Sequence, residues 1–175
     1  MGLKPNSLAF IGLCNEYCTL VENAVEMRPA EFISGALRVL PRLYISASDL
    51  DVARLSEYAP DIESALEEDY YEAVRRNIEN LLGPDDVYLE VFEKEMKYSD
   101  TPIGASVAEG MADLFQIIYN FISTVRYADE ETISELLVSM QEEFTSYWSQ
   151  LLVNLLRPLN NIRYNVLEEE EDIEI

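Results

Sequence analysis

The chain has 175 residues, 49% of them hydrophobic, with 12 Lys and Arg against 34 Asp and Glu, a net charge of −22 and no histidine. A surface this negative repels phosphate backbones and anionic lipid headgroups, which disfavours general nucleic-acid binding and membrane association and steers basic partners toward it. The lack of histidine removes the Ser-His-Asp and Cys-His catalytic arrangements and the Glu-x-x-His di-iron pattern of helical bundles.

A chain of this length buries something like 70% of its unfolded surface, enough for one proper core. Charges interrupt every apolar run well before ~20 residues, so no membrane-spanning helix is expected. Met1-Gly2-Leu3-Lys4-Pro5-Asn6 lacks the parts of a signal peptide, and Asn6 breaks the myristoylation pattern. Cys14 and Cys18 lie one helical turn apart, a geometry that suits a disulfide poorly. These features point to a cytoplasmic protein with reduced, buried thiols.

Ser7 is placed as the cap of a first helix reaching about Met27. Leu8, Ile11, Cys14, Cys18, Val21 and Val25 form one apolar row and Phe10, Leu13, Tyr17, Leu20 and Ala24 a second. So wide an apolar arc predicts a helix surrounded by neighbours. Pro29 suits the first turn of a second helix, Ala30 to Ser48, in which Pro41 predicts a kink or break. Asp49 to Pro60 reads as a connector, and Ile62 to Leu82 as a third helix stopped by Gly83-Pro84.

Val87 to Phe92, "VYLEVF", is β-prone and predicts a short extended segment; Ser99 to Gly104 reads as a loop. Ser106-Val107-Ala108-Glu109 is a capping box opening a helix to about Tyr127. Asp129 caps the last and longest helical region, whose apolar row runs from Ile133 to Val166 and which Pro158 should bend or break. The whole predicts an all-α fold, an irregular bundle of five to six helices in a single domain over residues 1–167, followed by an acidic tail at residues 168–175.

Carboxylates at helical spacing recur, as in Glu22/Glu26, Glu68/Glu72, Glu109/Asp113 and Glu131/Glu135. All-helical nucleotide pyrophosphatases hold Mg²⁺ through such pairs, because the ion prefers oxygen ligands. A carboxylate–magnesium hydrolase acting on nucleotides therefore stands as the alternative function, with Glu16, Glu22 and Asp113 as its key acids. Against it, acids are so frequent here that i,i+4 pairs arise by chance. Only two thiols are available for a structural zinc, which needs four ligands. No catalytic residues, metal site or cofactor are expected.

The segment from Thr145 to Leu167 contains no acid, and two others, Phe32 to Ser48 and Leu114 to Ala128, share this property. One explanation is burial, since burying charge is costly. The other is a docking groove of neutral-polar, aromatic and Arg character inside an acidic shell, built from Arg38, Arg42, Tyr44, Trp148, Gln150, Asn154, Arg157 and Asn161 and suited to an acidic peptide or an anionic small molecule. A buried Arg157 would pair with Glu16 or Glu22; an exposed one would lie beside Arg38 or Arg42.

Five stretches in order carry a family resemblance: Glu16-Tyr17-Cys18-x-x-x-Glu22, Leu40-Pro41-x-Leu43-Tyr44, Asp86-Val87-Tyr88-Leu89-Glu90-Val91-Phe92, Ala112-Asp113-Leu114-Phe115-Gln116 and Tyr147-Trp148-x-x-x-Leu152-Val153-Asn154-x-Leu156-Arg157. Together they resemble the bacterial family of domain of unknown function 5063. The resemblance implies a small cytoplasmic protein of Bacteroides-like bacteria with no assigned activity. It carries over no catalytic residue, and Asn160 stands where the pattern leads one to expect a histidine. The function expected is a non-catalytic interaction or regulatory domain with an unidentified protein partner.

Overall fold

The computed structural model describes residues 2–57, 60–90, 101 and 103–167. The expected tail at 168–175 and the Val91-Phe92 end of the extended segment lie outside the described residues. Among the described residues, six α-helices and one two-stranded sheet follow one another as α1 (Pro5–Glu22), α2 (Pro29–Ser48), α3 (Glu68–Leu82), β1 (Val87–Glu90), β2 (Ile103–Ser106), α4 (Val107–Val125), α5 (Glu130–Glu143) and α6 (Ser149–Asn161). The fold is an irregular, mostly α-helical bundle. α1 packs on α2 and α4, α3 on α4, and α6 on α2 and α4. One contiguous buried cluster runs from Phe10 through Phe32, Phe115 and Trp148 to Ile162.

Several helix boundaries differ from the sequence reading. α1 starts at Pro5 with Lys4 in the cap position, and Ser7 is a buried residue of the first turn rather than a cap. Proline suits that place because its missing N–H would be unpaired there anyway. α1 ends at Glu22, and a 3₁₀ turn over Ala24–Glu26 leads out. The cause lies just ahead: the residue before a proline avoids the helical region, and both Met27 and Arg28 are extended before Pro29. α1 is also less enclosed than its apolar rows imply, since Leu8 and Val25 are exposed.

Neither proline breaks its helix. α2 runs uninterrupted through Pro41, and α6 through Pro158. An interior proline costs ~3 kcal/mol. Phe32, Ile33, Ala36, Val39, Leu40, Leu43 and Ala47 are buried on both sides of Pro41, and each large side chain returns ~1.5–3 kcal/mol on burial. Continuing the helix is the cheaper choice. Beyond α5 the chain stays helical through π-helical turns at Phe144–Trp148 and Ile162–Val166, so residues 130–167 form one continuous helical run.

The third helix begins six residues later than its periodicity implies. Asn120 Oδ1 accepts the N–H groups of Ala65 and Leu66 at 3.0 and 2.9 Å, and Thr124 Oγ1 accepts that of Glu63 at 3.0 Å. These side chains of α4 satisfy the backbone donors that a helix would otherwise occupy. Gly83, at φ 57°, then ends α3 in the left-handed region that favours glycine.

β1 and β2 pair antiparallel, with Val87 opposite Ser106 and Glu90 opposite Ile103. Ile103 and Gly104, read as loop, thus belong to a strand, because β1 supplies a partner ladder that local propensity does not reveal. Ser106 caps α4 as expected, its hydroxyl accepting the Glu109 N–H at 3.1 Å, and Asp129 caps α5 by accepting the Thr132 N–H at 2.8 Å.

Candidate functional site

The hairpin and α6 lie side by side and enclose a groove of about 250 Å³. Tyr88, Leu89 and Glu90 of β1 form one wall, and Gln150, Val153, Asn154 and Arg157 of α6 the other. The α6 residues recur at three- and four-residue spacing, which places them on one helix face. The opposite face carries Leu152, Leu155 and Leu159 into the core. The hairpin is set in position by Asp86, whose carboxylate accepts both the Ser106 hydroxyl and the Ala108 N–H at 2.6 Å.

The groove mixes apolar and polar groups. Leu89 and Val153 are 62% and 45% exposed. Gln150 Nε2 donates to Asn154 Oδ1 at 2.7 Å, which leaves the Asn154 amide nitrogen and the Gln150 oxygen turned to other partners. Pro158 has no N–H, so the main-chain carbonyl of Asn154, four residues earlier, lacks its usual helical donor. Arg157 is exposed and makes no ion pair among the described residues.

The model of the family described as a domain of unknown function (DUF5063) matches residues 2–165 of this chain. The chain belongs to that family. The crystal structure of protein BF1032 from Bacteroides fragilis, a structural-genomics target, resembles it at 30% identity and a TM-score of 0.79, over 93% of this chain and 94% of that one. Comparison with curated proteins finds no match.

In this DUF5063 chain the residues singled out from sequence fall in separate places. Gln150, Asn154 and Arg157 share the hairpin groove. Arg42 lies in a different depression between α1 and α2, with Asn6, Leu13 and Ile45, and its guanidinium meets Glu16 at 2.8 Å. Arg38 is exposed on α2 and does not line the hairpin groove. Tyr44 sets its ring edge-on to Phe144, 5.1 Å between centroids. Asn161 accepts from Asn165 Nδ2 at 2.8 Å.

Trp148 is a core residue, 0% exposed, and cannot line a groove. Its indole donates to the Met140 carbonyl at 3.1 Å and its ring packs on Phe144 and Phe10. A ring of this size gains most by full burial once its single N–H has a partner. Arg157 is exposed, so the ion pair that a buried Arg157 would make with Glu16 or Glu22 does not arise. Glu16 is taken by Arg42, and Glu22 accepts the Tyr70 hydroxyl at 2.7 Å.

The carboxylates weighed as magnesium ligands are engaged separately. Besides Glu16 and Glu22, Asp113 accepts the Tyr71 hydroxyl at 2.6 Å. Burial first, and then the adjacent carboxylates, push the Tyr70 and Tyr71 hydroxyls well above the ordinary tyrosine range. Among the described residues no three Cys, Asp or Glu side chains converge as a metal site. Cys14 and Cys18 are free and buried. Burial, with Glu22 beside it, pushes the Cys18 thiol up to about 12, which makes it a packing group at neutral pH.

Sequence reasoning did not associate Tyr88, Leu89, Glu90 and Val153 with the groove. The available signal was the β-prone "VYLE" stretch, whose Leu89 alternates with inward Glu90. Nothing local connects it to a helix some sixty residues later.

Proposed function

We propose that this chain is a non-catalytic, cytoplasmic protein-interaction domain and that the groove between β1 and α6 is its docking site. The observation that carries the reading is the combination of exposed Leu89 and Val153 with an arginine, Arg157, that has no carboxylate partner among the described residues of an acid-rich chain. Exposed apolar side chains beside an unpaired guanidinium are the usual makings of a binding hot spot. Support also comes from the acids on α1 and α4, which bond to Arg42, Tyr70 and Tyr71 rather than to one another, an arrangement that does not favour the nucleotide-hydrolase alternative.

A photo-crosslinking amino acid placed at Val153, with Arg76 on the exposed face of α3 as the control position, tests the assignment. A discrete crosslinked partner from Val153, absent from the control and lost when Arg157→Gln is added, is the expected outcome. Identical crosslinking from both positions, or a partner indifferent to Arg157→Gln, would remove the groove from consideration.

A further inference from the structure

We infer that the occupant of the hairpin groove is a peptide segment carrying one carboxylate beside a branched apolar side chain. This rests on the docking reading above and names the chemistry of the partner.

The charge argument is local. From Phe144 to Leu167 the chain has no acid and two arginines, Arg157 and Arg163, although acids outnumber bases 34 to 12 overall. Charges farther than about 8 Å are largely screened at physiological ionic strength, so the nearest groups govern what a groove accepts. The Arg157 guanidinium offers a planar fork that matches a carboxylate with two parallel hydrogen bonds. A phosphate has the same attraction but carries close to two charges and is commonly held by a cluster of arginines. Among the described residues one arginine lines the groove, and the Glu90 carboxylate in the same lining already has a partner, accepting the Tyr88 hydroxyl at 3.4 Å. One guanidinium matches one monoanion; a dianion calls for more than one.

The remaining lining specifies what surrounds the carboxylate. Leu89 and Val153 face each other across the groove, and Val87, on the same hairpin face as Leu89, extends the apolar strip at 67% exposure. A leucine- or isoleucine-sized side chain covers this strip. The Asn154 side-chain amide nitrogen, not used in its bond with Gln150, offers one donor to a peptide carbonyl.

The test is a ¹⁵N NMR titration of the full chain with acetylated, amidated nonapeptides. One carries a central Glu-Leu pair; the others replace it with Gln-Leu, Glu-Ala or phosphoserine-Leu. The Glu-Leu peptide should shift the amides of Leu89, Val153, Asn154 and Arg157 and bind about tenfold more tightly than the Gln-Leu and Glu-Ala peptides. Arg157→Gln should erase the preference for Glu over Gln while leaving the melting temperature unchanged. Equal affinity for Glu-Leu and Gln-Leu, tighter binding of the phosphopeptide, shifts confined to another surface, or no binding would each overturn the inference. If the peptides fail while crosslinking from Val153 still yields its partner, the ligand class is wrong and the docking site stands. If both fail, the docking reading falls with it.

Discussion

Asp86 and Ser106 join the end of α3 to the start of α4 across the hairpin. The Ser106 hydroxyl donates to Asp86 Oδ2 at 2.6 Å while accepting the Glu109 N–H at 3.1 Å. Asp86 Oδ1 takes the Ala108 N–H at 2.6 Å, and the Asp86 residue is only 3% exposed. One buried carboxylate therefore satisfies two donors at a helix N-terminus, where negative charge is favoured by the helix dipole.

Asp86→Ala strands the Ala108 N–H and unties β1 from α4. It should lower stability by about 3 kcal/mol, the scale of a buried charge-assisted hydrogen bond together with an orphaned donor. Asp86→Asn keeps one acceptor and should cost about half as much. Urea denaturation measures both. An unchanged midpoint for Asp86→Ala would show that the junction contributes nothing.

Glu135 holds the connector after α2 against α5. Its Oε1 accepts the N–H groups of Leu55 and Ser56 at 2.8 and 3.2 Å, and its Oε2 lies 3.6 Å from the Arg54 guanidinium. Glu135→Ala removes the acceptor from two backbone donors and should cost about 2–4 kcal/mol. The loss should be local first. Trypsin should cut after Arg54 several-fold faster in the variant, and cleavage at the unaltered rate would refute the anchoring role.

Two glycines mark close helix contacts with opposite expected outcomes. A Cβ at Gly110 would lie 2.8 Å from Leu155 Cδ2, and one at Gly35 would lie 2.8 Å from Leu20 Cδ1. Leu155 is 1% exposed and has no room to turn, whereas Leu20 is partly exposed and can rotate away. Alanine in a helix gains about 1 kcal/mol over glycine, and overpacking costs about 1–3 kcal/mol. Gly110→Ala should therefore destabilise by about 1 kcal/mol, and Gly35→Ala should be neutral or slightly stabilising. Thermal melts of both variants decide it, and the opposite order would mean that Leu155 repacks freely.

Burial raises the Cys14, Cys18 and Tyr17 protonation ranges above those of the unfolded chain, Cys18 up to about 12. An unfolded thiol loses its proton near pH 8.5. Above that pH the unfolded state binds fewer protons than the folded one, so stability falls as pH rises. The contribution is complete below about pH 8.5 and is lost progressively toward pH 12. The melting temperature should decline across this range, and Cys18→Ala should flatten the decline. A thiol reagent at pH 8 should label neither cysteine until the chain unfolds; prompt labelling of the native protein would contradict the burial argument.

Features decided by neighbouring residues were legible in the sequence. Ser106 and Asp129 cap their helices because a side-chain oxygen reaches an N–H three residues away. Gly83 ends α3 because it alone among nearby residues adopts a positive φ without strain. The apolar periodicity of α2 and α6 identified their buried faces. The tertiary structure decided whatever depended on a partner distant along the chain. Asn120 and Thr124 hold residues 63–66 out of a helix that periodicity favours. Glu16 takes Arg42, leaving Arg157 to another surface. Trp148 turns into the core, and β1, more than fifty residues earlier than α6, supplies the second wall of the groove. Caps and periodicity act within one or two helical turns, so a local reading finds them. A groove arises from the packing of two elements, and its composition is set only when burial of their other faces brings them together.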